Sequence, residues 1–100
     1  MRYLTLAADY TQSALRDDHL GAVVPEEVGL AGELGDRIRD WNTRYRGIIP
    51  LSPEQRAEAP AVGVIEELDQ EGLSLAREIA ESQPDLKVRY YSEGHLRYVP

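Results

Sequence analysis

The longest regular pattern in the chain is helical. Ala61, Ile65, Leu68, Gly72, Leu75 and Ile79 recur at alternating steps of four and three, which places them on one side of an α-helix over residues 61–82. Leu73, Ala76 and Ala80 widen that stripe, while Glu66, Glu67, Gln70, Arg77, Glu78 and Glu81 gather opposite it. One side is built for a core and the other for water or a partner. A second series, Leu34, Ile38, Trp41, Tyr45 and Ile48, predicts a helix over residues 32–46. Glu33 and Asp36 near its start and Arg44 and Arg46 near its end complement the macrodipole. Gly47 is a natural stop. Gly72 falls in the middle of the long helix's apolar stripe, where glycine costs about 1 kcal/mol relative to alanine, so another element is expected to approach closely there. Trp41 is the expected neighbour.

Elsewhere the period drops to two. Residues 2–8 read as a first strand with Leu4 and Leu6 on one face, and residues 86–91 as the clearest strand, with Leu86, Val88 and Tyr90 alternating against Lys87, Arg89 and Tyr91. Ser92-Glu93-Gly94-His95 supplies a hairpin turn in which Gly94 is expected to take a positive φ, and residues 96–99 pair back. Residues 9–21 break the pattern and read as a loop or an irregular hairpin, returning through residues 21–24. Pro25-Glu26-Glu27 suits the start of a short helical turn, and Ser52-Pro53-Glu54-Gln55 reads as a cap, a helical proline and an acidic first turn. The order strand, strand, helix, helix, strand, strand predicts one α+β domain over residues 1–100. It is a two-layer sandwich with two main helices on one face of a small, mostly antiparallel sheet of three or four strands.

A chain of 100 residues supports one core, and 42% apolar with 29% charged residues is the balance of a folded domain. Cysteine is absent, so packing alone must offset the conformational entropy. The start of the chain lacks the pattern of a signal peptide, and no apolar run reaches membrane-spanning length; the expectation is a cytoplasmic protein with no membrane partner. The net charge of −7 argues against binding nucleic acid, which attracts a basic surface. That whole excess lies in residues 54–85, the remainder of the chain being neutral.

The candidate chemistry is sparse. Asp17-Asp18-His19 offers metal-ligand types, but adjacent residues seldom converge on one ion, and a polar loop is the better reading. His95 reads as a turn residue, since a general base needs a substrate or nucleophile within reach and none is evident. Glu66-Glu67, and Asp69 with Glu71, do not face one another on a helix and read as solvated. There is no nucleophile elbow and no phosphate-binding glycine loop. No cofactor is expected, and no enzyme. Arg37, Arg39, Arg44 and Arg46 form the basic concentration and read as partners for Asp36, Asp40 and the acidic helix. Tyr91, outward on its strand beside Arg89, suits an interface.

Asp9-Tyr10 after the first strand, Gly29-Leu30 ahead of a helix carrying Leu34 and Trp41, Asp69-Gln70-Glu71-Gly72 with Leu75-Ala76, and Val88 to Tyr91 resemble the pattern of a group of small uncharacterised bacterial proteins. The resemblance spans most of the chain and rests on structural residues; Ala31 departs from it, standing where a serine or threonine helix cap is expected. It implies an immunity-type or other partner-binding protein. The leading expectation is therefore an acidic module that binds another protein, one of basic character such as a toxin, through Glu66, Glu67, Glu78, Glu81 and Tyr91. One alternative is a homo-oligomeric structural or regulatory component using the sheet edge or the Tyr91 face. Another is a small enzyme or ligand-binding domain with a pocket between helices and sheet.

Overall fold

The computed structural model describes residues 2–10 and 14–99. Five strands, β1 (Arg2–Leu6), β2 (Leu15–Asp17), β3 (Gly21–Val23), β4 (Leu86–Ser92) and β5 (Arg97–Val99), form one sheet in the order β3-β2-β1-β4-β5. Three helices, α1 (Glu33–Tyr45), α2 (Pro53–Arg56) and α3 (Ala61–Ser82), lie between β3 and β4 in the chain, preceded by a 3₁₀ turn at Pro25–Val28. The pairing is mixed: β1–β2, β2–β3 and β4–β5 are antiparallel, whereas the central β1 and β4 run parallel. Parallel neighbours need a long crossover, and the three helices supply it.

The expectation of an α+β layer is met, but the sheet has five strands instead of three or four. Where one second strand is expected ahead of the helices there are two, β2 and β3, each three residues long, too short to show alternation. Their hairpin is made by a side chain. Asp17 turns inward opposite Leu4 and is buried; its Oδ1 accepts from the backbone N–H groups of His19 at 2.8 Å and Leu20 at 3.1 Å, and its Oδ2 from Arg2 Nε at 3.1 Å. The aspartate satisfies the backbone of its own turn, and Gly21 closes that turn at a positive φ of 81°. Of the loop or irregular hairpin expected over residues 9–21, returning through residues 21–24, the hairpin is what forms, and residues 11–13 lie outside the described residues.

The helical periods translate directly. α3 occupies the span that the apolar stripe marks out, and Ile65, Leu75 and Ile79 are fully buried. α1 brings Ile38, Trp41 and Tyr45 to the same core, against Leu4 and Leu6 of β1 and Tyr90 of β4. Burying a large apolar side chain contributes about 1.5–3 kcal/mol, so this single cluster dominates the folding energy. Trp41 also donates from Nε1 to the Leu68 carbonyl at 2.8 Å, a buried tie between the two helices. α1 begins at Gly32 without a side-chain cap, and Ser52 caps α2 by accepting from Gln55 N at 3.2 Å while Gln55 Oε1 accepts from Ser52 N at 2.9 Å.

Two glycines have other roles than their spacing suggests. A Cβ on Gly72 would lie 2.6 Å from both Cζ and Oη of Tyr90, so the close neighbour is the β4 tyrosine and not Trp41. Gly94 does not carry the positive φ of the last hairpin; Leu96 does, at 55°. Gly94 is instead required by space, since a Cβ there would stand 2.9 Å from Tyr45 Oη and 3.0 Å from a side-chain carbon of Ile65.

Candidate partner-binding surfaces

Helical geometry splits the acids of α3 into three groups. Asp69 lies three residues before Gly72 and four after Ile65, so it faces inward and is 8% exposed. The expectation of a solvated Asp69 is overturned. Its Oδ1 accepts from Tyr45 Oη at 2.8 Å and Tyr90 Oη at 2.5 Å, and its Oδ2 from Ser92 Oγ at 2.7 Å. Gly94 N donates to Tyr45 Oη at 2.9 Å and His95 N to Ser92 Oγ at 3.1 Å, which extends the network into the last hairpin. One carboxylate therefore holds α1, α3, β4 and that hairpin together. Burial raises both tyrosines, with the Asp69 charge adding to it: Tyr45 is pushed up to about 12 and Tyr90 is displaced in the same direction. These hydroxyls are held as donors. His95 Nε2 stands 3.9 Å from Asp69 Oδ2, too far for a hydrogen bond, while both carboxylate oxygens are already engaged.

Glu71 and Glu78 point toward α1. Arg37 forms a two-point pair with Glu78, Nη1 to Oε1 at 2.8 Å and Nη2 to Oε2 at 2.6 Å, and Arg44 pairs likewise with Glu71 and, through Nε at 3.0 Å, with Asp40. Hydrogen bonding to Arg37 holds the Glu78 carboxyl below the usual carboxylate range and lifts the Arg37 guanidinium. Arg39 pairs with Glu26 of the 3₁₀ turn. Much of the basic concentration on α1 is thus spent inside the molecule.

The third group faces outward. Glu66, Glu67 and Glu81 are exposed and carry no ion pair among the described residues. Glu67 and Glu81 are two heptads apart, on the side of α3 opposite the core. Glu78 borders this group with its charge shared by Arg37. Tyr91 lies elsewhere: it pairs with Tyr98 across β4–β5 and faces away from the helices, the two rings meeting edge to face with centroids 5.1 Å apart and Arg89 lying 4.7 Å over Tyr98. The structure therefore separates the five expected interface residues into an acidic helical surface and an aromatic sheet surface on opposite layers.

His19 is exposed, and its backbone belongs to the Asp17 turn; among the described residues no group of three or more His, Cys, Asp or Glu could hold a metal ion. No helix among them is long and apolar enough to cross a membrane. Sequence reasoning missed Asp69. The signal was present, because a charged residue three before and four after members of a buried stripe must face that stripe.

Fold and surfaces together describe a small α+β protein in which a buried carboxylate, Asp69, is satisfied internally and most of the other charges are displayed outward. The family model described as Serratia CdiI immunity protein-like matches residues 2–93, and the chain belongs to that family, a bacterial immunity-type group. No curated protein matches the chain.

Proposed function

We propose that the chain is a non-enzymatic, cytoplasmic immunity-type inhibitor that binds a basic protein toxin through the outward side of α3. The family match motivates the inhibitor reading, and the observation that carries the choice of surface is the exposure of Glu66, Glu67 and Glu81 without internal cations. Such charges raise the encounter rate with a basic partner at low salt, while affinity comes from a few desolvated anchors at the centre of the contact. Glu78 contributes the edge of the same surface, and Arg37 keeps its carboxylate in place. Tyr91 is an anchor for a contact on the other layer.

Self-association through a sheet edge has less to build on: β3 and β5, the two edge strands, are three residues each, and short edges offer little backbone for pairing. The test is association kinetics with the captured partner. Reversal of Glu66, Glu67 and Glu81 to lysine should slow association by about tenfold or more at low salt, with the difference shrinking as salt rises. An unaltered association rate would remove this surface from the reading.

A further inference from the structure

The sheet face turned away from the helices has a shape of its own. The register sets Thr5 of β1 opposite Arg16 of β2 on one side and Arg89 of β4 on the other, so the two arginine backbones stand about 10 Å apart, two strand spacings. Thr5 is small and the residues on either side of it are long. The result is a trough of about 630 Å³ along β1, walled by Arg16, Arg89, Tyr91 and Tyr98. Thr5 is 8% exposed, lines the floor of this trough, and makes no side-chain hydrogen bond among the described residues. Arg16 carries no ion pair among them. Arg89 forms an exposed ion pair with Asp18 at 3.5 Å, longer than a charged hydrogen bond and of the kind that contributes little. The Tyr91–Tyr98 contact and the stacking of Arg89 on Tyr98 hold that wall in place before anything binds.

We propose that this trough is a second protein-binding site, which takes a carboxylate side chain of a partner segment between Arg16 and Arg89 and over the Thr5 hydroxyl. Guanidinium forks match a carboxylate in two-point geometry, and the threonine hydroxyl supplies a donor from below. The site goes beyond the binding surface on α3, from which it is separated by the thickness of the molecule. Charge decides what kind of segment enters. The lining also holds Asp9, Asp17, Asp18 and Glu93, with Asp9 acting on Glu93 and Asp18 beside Arg89, so a polyanion such as nucleic acid would meet four carboxylates along with the two arginines. A segment with an acidic residue followed closely by a basic one fits: the carboxylate meets Arg16 and Arg89, and the cation reaches Glu93 with its stem along Tyr91.

The experiment is a titration of the ¹⁵N-labelled chain, at low salt, with acetyl-glutamyl-glycyl-lysine amide, followed by amide chemical shifts. The expected result is a saturable response confined to Thr5, Arg16, Arg89 and Tyr91 and their neighbours. Replacing the peptide's glutamate by glutamine should weaken binding at least tenfold, and so should Arg16→Gln, whose melting temperature should stay that of the parent because Arg16 is exposed. Thr5→Ser should retain binding and Thr5→Val weaken it. The combined Glu66→Lys, Glu67→Lys and Glu81→Lys variant should leave the peptide response intact, which separates this site from the α3 surface. No saturable response, a response elsewhere, equal binding by Arg16→Gln, or an equally strong response to inorganic phosphate would each overturn the proposal.

Discussion

Removing the Asp69 carboxylate would strand three buried hydroxyls at once, those of Tyr45, Tyr90 and Ser92. A buried donor left without an acceptor costs about 1–3 kcal/mol, and the three share one network, so Asp69→Ala should destabilise the chain by about 3–5 kcal/mol in urea unfolding. A loss below about 1 kcal/mol would show that the network does not hold the layers together. The same network predicts behaviour in alkali. Tyr45 has a folded value raised to about 12 from the ordinary 10.0, so its contribution is fully present below pH 10 and is lost as pH rises toward 12. In a titration of tyrosinate absorbance, two of the six tyrosines, Tyr45 and Tyr90, should ionise only together with unfolding. Six uniform titrations would contradict the hydrogen bonds described. Gly72→Ala tests the contact with Tyr90: helix propensity alone would favour alanine by about 1 kcal/mol, yet the new methyl meets a ring that Asp69 prevents from swinging away. The net effect should be a loss of about 1–3 kcal/mol, and a stabilised variant would refute the close approach.

At the scale of elements, α1 and α3 are joined by a buried bond from Trp41 and by exposed arginine–glutamate pairs, and the two kinds differ in weight. The exposed pairs report themselves through acid titration. Glu78 and Glu26 have folded values depressed below 4.5 by hydrogen bonds from Arg37 and Arg39. Asp17 is held below 3.8, chiefly by the His19 backbone N–H. Depressed carboxylates contribute stability above the unfolded value and lose it as pH falls through the folded one, so these contributions should begin to fade only below 4.5 for the two glutamates and below 3.8 for Asp17. Arg37→Gln should return Glu78 toward 4.5 in an NMR pH titration; an unmoved Glu78 would mean that the pair is not formed in solution. Both helices were legible because their apolar series run through several turns, Ala61 to Ile79 above all. The hairpin of β2 and β3 was legible only as one of two alternatives, a loop or an irregular hairpin. With only Leu15 and Val23 as inward apolar residues, and a charged Asp17 at the third inward position, no alternation survives. The chemistry of the interior was half legible, since Asp69 sits within the stripe, but nothing local shows that Tyr45, Tyr90 and Ser92, from two other elements, converge on it.

The whole molecule presents two unlike layers. One shows the carboxylates of α3, where the sequence concentrates its excess negative charge; the other shows Arg16, Arg89, Tyr91 and Tyr98 on an uncovered sheet. Residue composition could not separate them, because Tyr91 and the glutamates belong to one interface only if they share a side, and that depends on the packing of helix on sheet. Membership of an immunity protein-like family motivates the proposal that the acidic layer meets a basic toxin. The most direct measurement is affinity capture of the tagged chain from its native lysate at low salt, with bound proteins identified by mass spectrometry and the lysine variant at positions 66, 67 and 81 as control. One basic protein should be retained by the parent chain and lost by the variant. Equal retention by the variant, or capture of an acidic protein instead, would contradict the proposal.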